Sequence, residues 1–387
     1  MSKAPKLRFP EFEGEWDFPN ADELFDSISN KEHNTDLPIL GITQEHGAIP
    51  REKIDYNVIV TQKSLKGYKV VDKGDFIISL RSFQGGIEYS EYHGICSPAY
   101  IVLKKKTPLI DYFFKHYFKT SKLIKELNKN IEGIRDGKMV TYKQFSEIKL
   151  PFPSIEEQQK IADCLSALDE EIAAEEEALE ALKTYKKGLL QQLFPEGVSK
   201  STPPPLIFNK LPKLRFAGFE GEWEEVKLGE IGCFYRGITY GSENISKEGL
   251  LVLRSSNIQD DTLIIDKDLV FINKEAPTEL LLQKGDIVIC MSNGSKGLVG
   301  KNAEYKGNYY NNITVGAFCS LFRPKIAIAK YVFQTEQYSN YILLSMGGGN
   351  INNLRNSTLE KYTCYIPKDL AEQEKIANCL SSLDELI

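Results

Sequence analysis

The chain carries much of its own sequence twice, and this restricts what it can fold into more than any single motif does. APKLRFPEFEGEWD at residues 4–17 returns as LPKLRFAGFEGEWEE at 211–225, and VDKGDFIIS at 71–79 returns as LQKGDIVIC at 282–290. The phrase LPFPSIEEQQKIADCLSALDEEI from Leu150 returns as CYIPKDLAEQEKIANCLSSLDELI from Cys364. The offset between equivalent residues grows from 207 (Lys6 and Lys213) through 211 (Lys73 and Lys284) to 215 (Lys160 and Lys375), as small loop insertions would produce. A two-copy repeat of about 210 residues is too long for a solenoid unit and predicts two tandem domains.

Within each copy, short apolar runs bounded by Gly, Asn, Asp and Ser predict strands and turns, as in YKVVDKGDFIISL, GLLVLRSSNI and KGDIVICM. Lys-Gly-Asp should turn the chain into a buried strand in both copies. PLIDYFFKHYFKTSKLIKELNKN and AKYVFQTEQYSNYILLSM show apolar and aromatic residues near a 3.6 period, which predicts one packed helix in each, its aromatic stripe facing the core.

From Glu156 to Phe194 the pattern changes. Ile161, Leu165, Leu168, Ile172, Leu179, Leu182, Leu189 and Leu193 follow 4,3 spacing, with Glu175 and Lys186 at two seam positions. Ser154 is the expected cap, and the Pro-rich PEGVSKSTPPPLIFNKLP is a stop and a linker. At 1.5 Å per residue such a helix runs about 58 Å. Ile376, Leu380, Leu383 and Ile387 repeat the opening spacing, so the second copy is expected to supply an antiparallel partner, with the two heads at opposite ends of the pair; a helix packed on its own domain is the alternative. That second helix has 16 residues from Glu372 to Ile387, about 23 fewer than the first.

The net charge of −6 is unevenly distributed. Residues 156–194 hold ten acids and four lysines, whereas residues 102–149 hold twelve Lys/Arg against five acids and residues 281–361 nine against four. The two basic tracts suit phosphate neutralisation. No apolar run approaches the ~20 residues that span a bilayer, and MSKAPKLRFPEFEGEWD lacks a signal-peptide core, so the cytoplasm is the expected compartment and no membrane partner is expected. The seven cysteines form no CxxC pair and are expected to be buried thiols; the four histidines show no ligand spacing, so no metal is expected. GSKGLVGK from Gly294 is one residue too long for a P-loop and is followed by Asn302 rather than Ser or Thr.

Taken together, two copies each closing with PFPSIEEQQKIADCLSALD or IPKDLAEQEKIANCLSSLD, and each carrying PKLRF, FEGEW and KGD, resemble the specificity subunits of type I restriction-modification enzymes. The resemblance covers essentially the whole chain. It implies an α+β protein with target-recognition domains at 1–150 and 213–366, mostly β with a packed helix, a spacer helix at 151–194, a linker at 195–212 and the start of a second spacer helix at 367–387. It further implies a non-catalytic subunit that reads an asymmetric, split site in double-stranded DNA. Its partners would be methylation subunits, two of them, and restriction subunits, with S-adenosylmethionine, ATP and Mg in those partners and no cofactor in this chain. The short second helix departs from that pattern and predicts a weaker hold on one methylation subunit.

Reading base edges takes Arg, Lys, Asn and Gln on accessible loops. Two loops per copy fit: RSFQGGIEYSEYHG from Arg81 and EGIRDGKMVTYKQF from Glu132, then SNGSKGLVGKNAEYKGNYYNN from Ser292 and GGGNINNLRNSTLEKY from Gly347. The candidates are Arg81, Gln84, Arg135, Lys138 and Tyr142 in the first head, with Asn293, Lys296, Lys301, Asn312, Asn353 and Arg355 in the second. Two other readings stay open at this stage. A coiled-coil scaffold without DNA binding would give a flat response to duplex, and a self-contained enzyme would turn over with a metal or methyl donor.

Overall fold

A computed structural model describes residues 5–33, 36–54, 62–129, 139–195, 210–346 and 352–387. The chain divides into two compact units, Met1–Glu175 and Glu176–Ile387. No described helix is long and apolar enough to cross a membrane.

Each unit is built on the same four-stranded antiparallel sheet. In the first the strand order is Phe25–Ile28, Ile101–Lys105, Phe76–Ile78, Glu88–Tyr89; in the second it is Gly232–Arg236, Cys319–Pro324, Ile287–Cys290, Asn302–Glu304. The registers correspond, with Phe76 opposite Leu103 and Ile287 opposite Phe322. The second unit adds a sheet in which Leu250–Leu253 runs parallel to Ile313–Val315 and antiparallel to Val270–Ile272.

The Lys-Gly-Asp turn leads into the central strand of both sheets. Gly74 and Gly285 adopt φ of 98° and 93°, a region that disfavours any side chain. The following aspartate closes the turn, Asp75 Oδ2 accepting from Asp72 N and Asp286 Oδ2 from Gln283 N, each at 2.8 Å. Both carboxylates are buried, and the two copies solve that problem differently. Arg323 grips Asp286 with Nε at 3.0 Å and Nη2 at 2.7 Å. In the first unit the sheet position of Arg323 belongs to Lys104, which bonds Asp72 instead at 2.7 Å. Burial therefore pushes the Asp75 carboxyl up to about 6.

The single packed helix expected in each head is two helices in each. Asp111–Tyr117 and Ser121–Asn128 are separated by Thr120; Ala329–Val332 and Glu336–Ser345 are separated by Thr335. Each threonine hydroxyl accepts from a backbone N–H three residues on, Leu123 or Tyr338, and donates to a carbonyl three residues back, Tyr117 or Val332. An N-cap inside a continuous apolar period restarts the helix without interrupting the period. The aromatic stripes are core: Phe114 and Phe118 pack with Phe25, Phe76 and Phe145, and Phe333 and Tyr338 pack with Phe234, Phe322 and Tyr362.

The cysteines correct the expectation of buried thiols. Cys96, Cys290 and Cys319 are buried, Cys233, Cys364 and Cys379 are half-buried, and Cys164 is exposed on the long helix. An amphipathic helix places small apolar residues on both faces, so a short apolar run does not establish burial.

The long helix is Ile155–Leu193 and the closing helix Leu370–Leu386. Ser154 accepts from Glu157 N at 3.2 Å at the start of the first, and Asp369 accepts from Ala371 N at 2.8 Å at the start of the second. Here the repeated phrases meet. Arg8 holds both oxygens of Glu157 at 2.7 Å and donates to the carbonyls of Glu13 and Gly14. Arg215 holds Glu372 at 2.7 and 2.8 Å and donates to the carbonyls of Glu220 and Gly221. Gln158 and Gln373 donate to the carbonyls of Pro153 and Pro367. PKLRF, FEGEW and Glu-Gln are thus parts of one clasp that fixes each helix to its own head.

The heptad positions divide between two environments. In the second unit Leu193, Ile376 and Leu380 are buried with Leu190 in the core of the head and Leu189 packs against it, while Lys186 pairs with Asp384 at 2.6 Å. Leu179, Leu182 and Leu383 are half-buried. In the first unit Ile161 packs against the core, whereas Leu165, Leu168 and Ile172 are 36%, 50% and 56% exposed.

Candidate nucleic-acid interface

In the second head the strand that follows Lys-Gly-Asp continues through Met291 into Ser292–Asn293. That segment pairs antiparallel with Asn352–Asn353, Ser292 facing Asn353 and Asn293 facing Asn352. Leu354 N donates to the Met291 carbonyl at 2.7 Å and extends the pairing. The two candidate loops, about 60 residues apart in sequence, are thereby joined into one ribbon. Asn353 and Arg355 are exposed on it, and Lys296 is exposed on the turn Lys296–Leu298 just beyond. Asn293 is half-buried, its Oδ1 accepting from Ser295 N at 3.0 Å.

Two candidates lie elsewhere. Lys301 is half-buried and its Nζ donates to the Ile258 carbonyl at 2.7 Å, bracing the strand Ile258–Gln259. Asn312 is exposed but precedes Ile313–Val315, so about 10 Å of strand separates it from the turn at the other end. That turn carries a residue not singled out from the sequence, Phe318, which is 69% exposed. Its carbonyl accepts from Met291 N at 2.8 Å and from Ser292 N at 3.3 Å, which places it beside the ribbon. An apolar residue between two strands reads as core, so only its exposure reveals it.

In the first head the segment after the central strand packs on the helix Ser121–Asn128, and the second candidate loop, from Glu132, lies largely outside the described residues. Arg81 precedes and Gln84 lies within the short helix Ser82–Gly85, and both are exposed. Gly86 closes this helix at φ 84°, where a Cβ would meet the Phe118 carbonyl at 2.1 Å, so a glycine is required. Lys119 reaches the carbonyls of Gln44 and Gly85, and Asn128, at the end of Ser121–Asn128, donates to the Phe83 carbonyl. Arg135 and Lys138 lie outside the described residues. Tyr142 is half-buried, packs against the core and donates to the Phe25 carbonyl at 2.9 Å.

The basic tracts are partly neutralised within the fold. Lys104, Lys105, Lys106, Lys115, Lys119 and Lys129 pair with Asp72, Asp111, Asp26, Glu91, Glu88 and Glu126. In the second head Lys306, Lys330 and Arg323 pair with Glu304, Glu304 and Asp286. Counting cations along the sequence therefore overstates the charge left for phosphates. Burial holds the thiols of Cys96, Cys319 and Cys364 up at about 12, far from a reactive thiolate. Among the described residues no group of three or more His, Cys, Asp or Glu side chains is arranged to hold a metal ion.

The family model for the type I restriction modification DNA specificity domain matches residues 15–184 and again 220–387. The type I restriction enzyme MjaVIII specificity subunit of Methanocaldococcus jannaschii is 24% identical over 353 residues, a match covering 85% of this chain and 76% of that protein. The EcoKI specificity subunit of Escherichia coli K12 is 34% identical over 170 residues, covering 42% of this chain and 36% of that one. Among solved structures, the type I restriction-modification S subunit from M. genitalium aligns over 98% of this chain and 92% of its own with a TM-score of 0.53 at 18% identity. A chain from work on complex assembly and conformational transition of the type I R-M system gives 0.51 at 17%, with the same coverage of both chains. With the specificity-domain model matching twice, once on each of two like heads, this chain belongs to the type I restriction-modification specificity subunits.

Proposed function

We propose that the two heads, residues 1–150 and 213–366, each read one half of a split, asymmetric duplex site, and that the helices at 151–194 and 367–387 set the gap between the halves, residues 195–212 being a linker. The observation that carries this reading is a shared frame with divergent tips. The four-stranded sheets, Lys-Gly-Asp turns and clasps correspond, while the segments that follow the central strands differ. Arg81 and Gln84 stand at a short helix in one head; Asn353 stands on a ribbon in the other, with Arg355 and Lys296 just beyond it. Two different tips on one frame suit two unequal half-sites. Asn and Gln match adenine, and Arg matches guanine, in the major groove.

In this reading the chain performs no chemistry. It works on DNA in the cytoplasm, delivering methylation subunits and restriction subunits that hold S-adenosylmethionine, ATP and Mg. To test it, the chain is coexpressed with the methylation subunit from its own operon and modified bases are mapped genome-wide in a methylation-free host. A split motif with unequal halves is expected, and exchange of residues 1–149 for those of another family member should change one half only. A complex that forms yet marks no motif refutes the reading.

A further inference from the structure

We propose that Phe318 is a specificity-determining residue of the second head, contacting the 5-methyl group of a thymine in its half-site; this rests on the DNA-reading function proposed above. A single exposed hydrophobic residue is ordinary on a protein surface. Phe318 differs in its setting. Its carbonyl is held by two backbone N–H groups, from Met291 and Ser292, so the turn that carries it is tied directly to the ribbon. Ser292 in turn faces Asn353, and Leu354 N bonds back to Met291, so three chain segments lie abreast. An apolar ring 69% exposed is thereby carried on the segment beside the ribbon that bears Asn353, with the exposed Arg355 and Lys296 a few residues further along its two strands. Groups of those types engage adenine, guanine and phosphate, but none recognises the thymine methyl, the one apolar feature of the major groove. Phenylalanine supplies that contact.

The equivalent position of the first head carries no aromatic ring. Ile101 faces Ile78, and Ser320 faces Ile289, at equivalent sheet positions, so the residue corresponding to Phe318 two positions earlier is Ala99. Ala99 is also exposed, so the frame does not require an aromatic ring there. Phe318 is therefore free to serve the second half-site alone.

The test uses the full chain in complex with its methylation subunit. A preferred duplex is selected from a random pool, and each thymine of the second half-site is then replaced by uracil, which removes only the methyl group. The wild-type complex should lose about fourfold in affinity at one thymine, as expected for one buried methyl. Phe318→Ala should be insensitive to that replacement, and Phe318→Leu should retain part of the sensitivity. Uracil at first-half positions should act equally on wild type and Phe318→Ala. A second half-site lacking thymine, wild-type binding indifferent to every uracil in it, or Phe318→Ala as uracil-sensitive as wild type would overturn the assignment while leaving DNA reading intact. Failure of the wild-type complex to select any duplex would remove both.

Discussion

Asp75 and Asp286 occupy the same turn, yet replacing each by asparagine should move stability in opposite directions. Asparagine keeps an oxygen for the turn N–H of Asp72 or Gln283, so the change isolates the charge. Asp75 is 4% exposed with no arginine on it among the described residues, and its carboxyl stands at about 6 against an ordinary 3.8. Burial is the main cause of the rise; the hydrogen bond from the Asp72 N–H and then the Lys104 charge oppose it, and the Asp72 and Asp111 carboxylates add to it. Because the folded pKa is raised, the folded state binds the proton more tightly, and stability falls as pH climbs from about 4 to about 6 and then levels off. At 1.36 kcal/mol per pK unit the ionised carboxylate costs up to about 3 kcal/mol above pH 7. Asp75→Asn should recover most of that at pH 7.5 and almost none at pH 4.5. Asp286→Asn strips a charge partner from Arg323. Broken buried pairs cost roughly 3–5 kcal/mol, and about 2–3 is expected here because Arg323 retains solvent and its bond to the Leu281 carbonyl. Urea unfolding of both variants and wild type at the two pH values measures this. If Asp75→Asn is less stable than wild type at pH 7.5, the burial argument is wrong.

Further outcomes can be checked independently. Arg81→Ala or Gln84→Ala should relax the first half of the methylated motif only, and Asn353→Ala or Arg355→Ala the second half only, each by ~1–3 kcal/mol if the contact is bidentate to a base. Lys296→Ala, if it meets a phosphate, should weaken binding to all sequences and lower the salt slope by about 1 in an affinity titration. Lys301→Ala should lower the melting temperature with the motif unchanged, since its Nζ braces the Ile258 carbonyl. Thr335→Ala removes a buried N-cap and should cost about 1 kcal/mol in denaturant unfolding.

Much of the frame was legible in the sequence because repetition and periodicity are local. The duplicated Lys-Gly-Asp phrases marked two central strands, and 4,3 spacing marked the helix Ile155–Leu193. The helix breaks at Thr120 and Thr335 escaped notice because a capped break preserves the apolar period on either side. Heptad spacing likewise described Leu165 and Leu380 in the same terms, yet one is 36% exposed and the other buried in a head core.

At the proposed reading end the sequence supplied candidate residue types but not their company. It selected Asn293 and Asn353 from separate loops, and strand pairing alone joined them. It ranked Lys301 with Lys296, although one is tied to a backbone carbonyl and the other is exposed. It passed over Phe318, whose significance comes from where its turn lands. By itself the sequence determined the duplication, the turns and the helix phases, since these depend on neighbours a few residues away. Only the tertiary structure decided which cations are already neutralised, which loops adjoin and which apolar residues face solvent, because long-range packing sets all three.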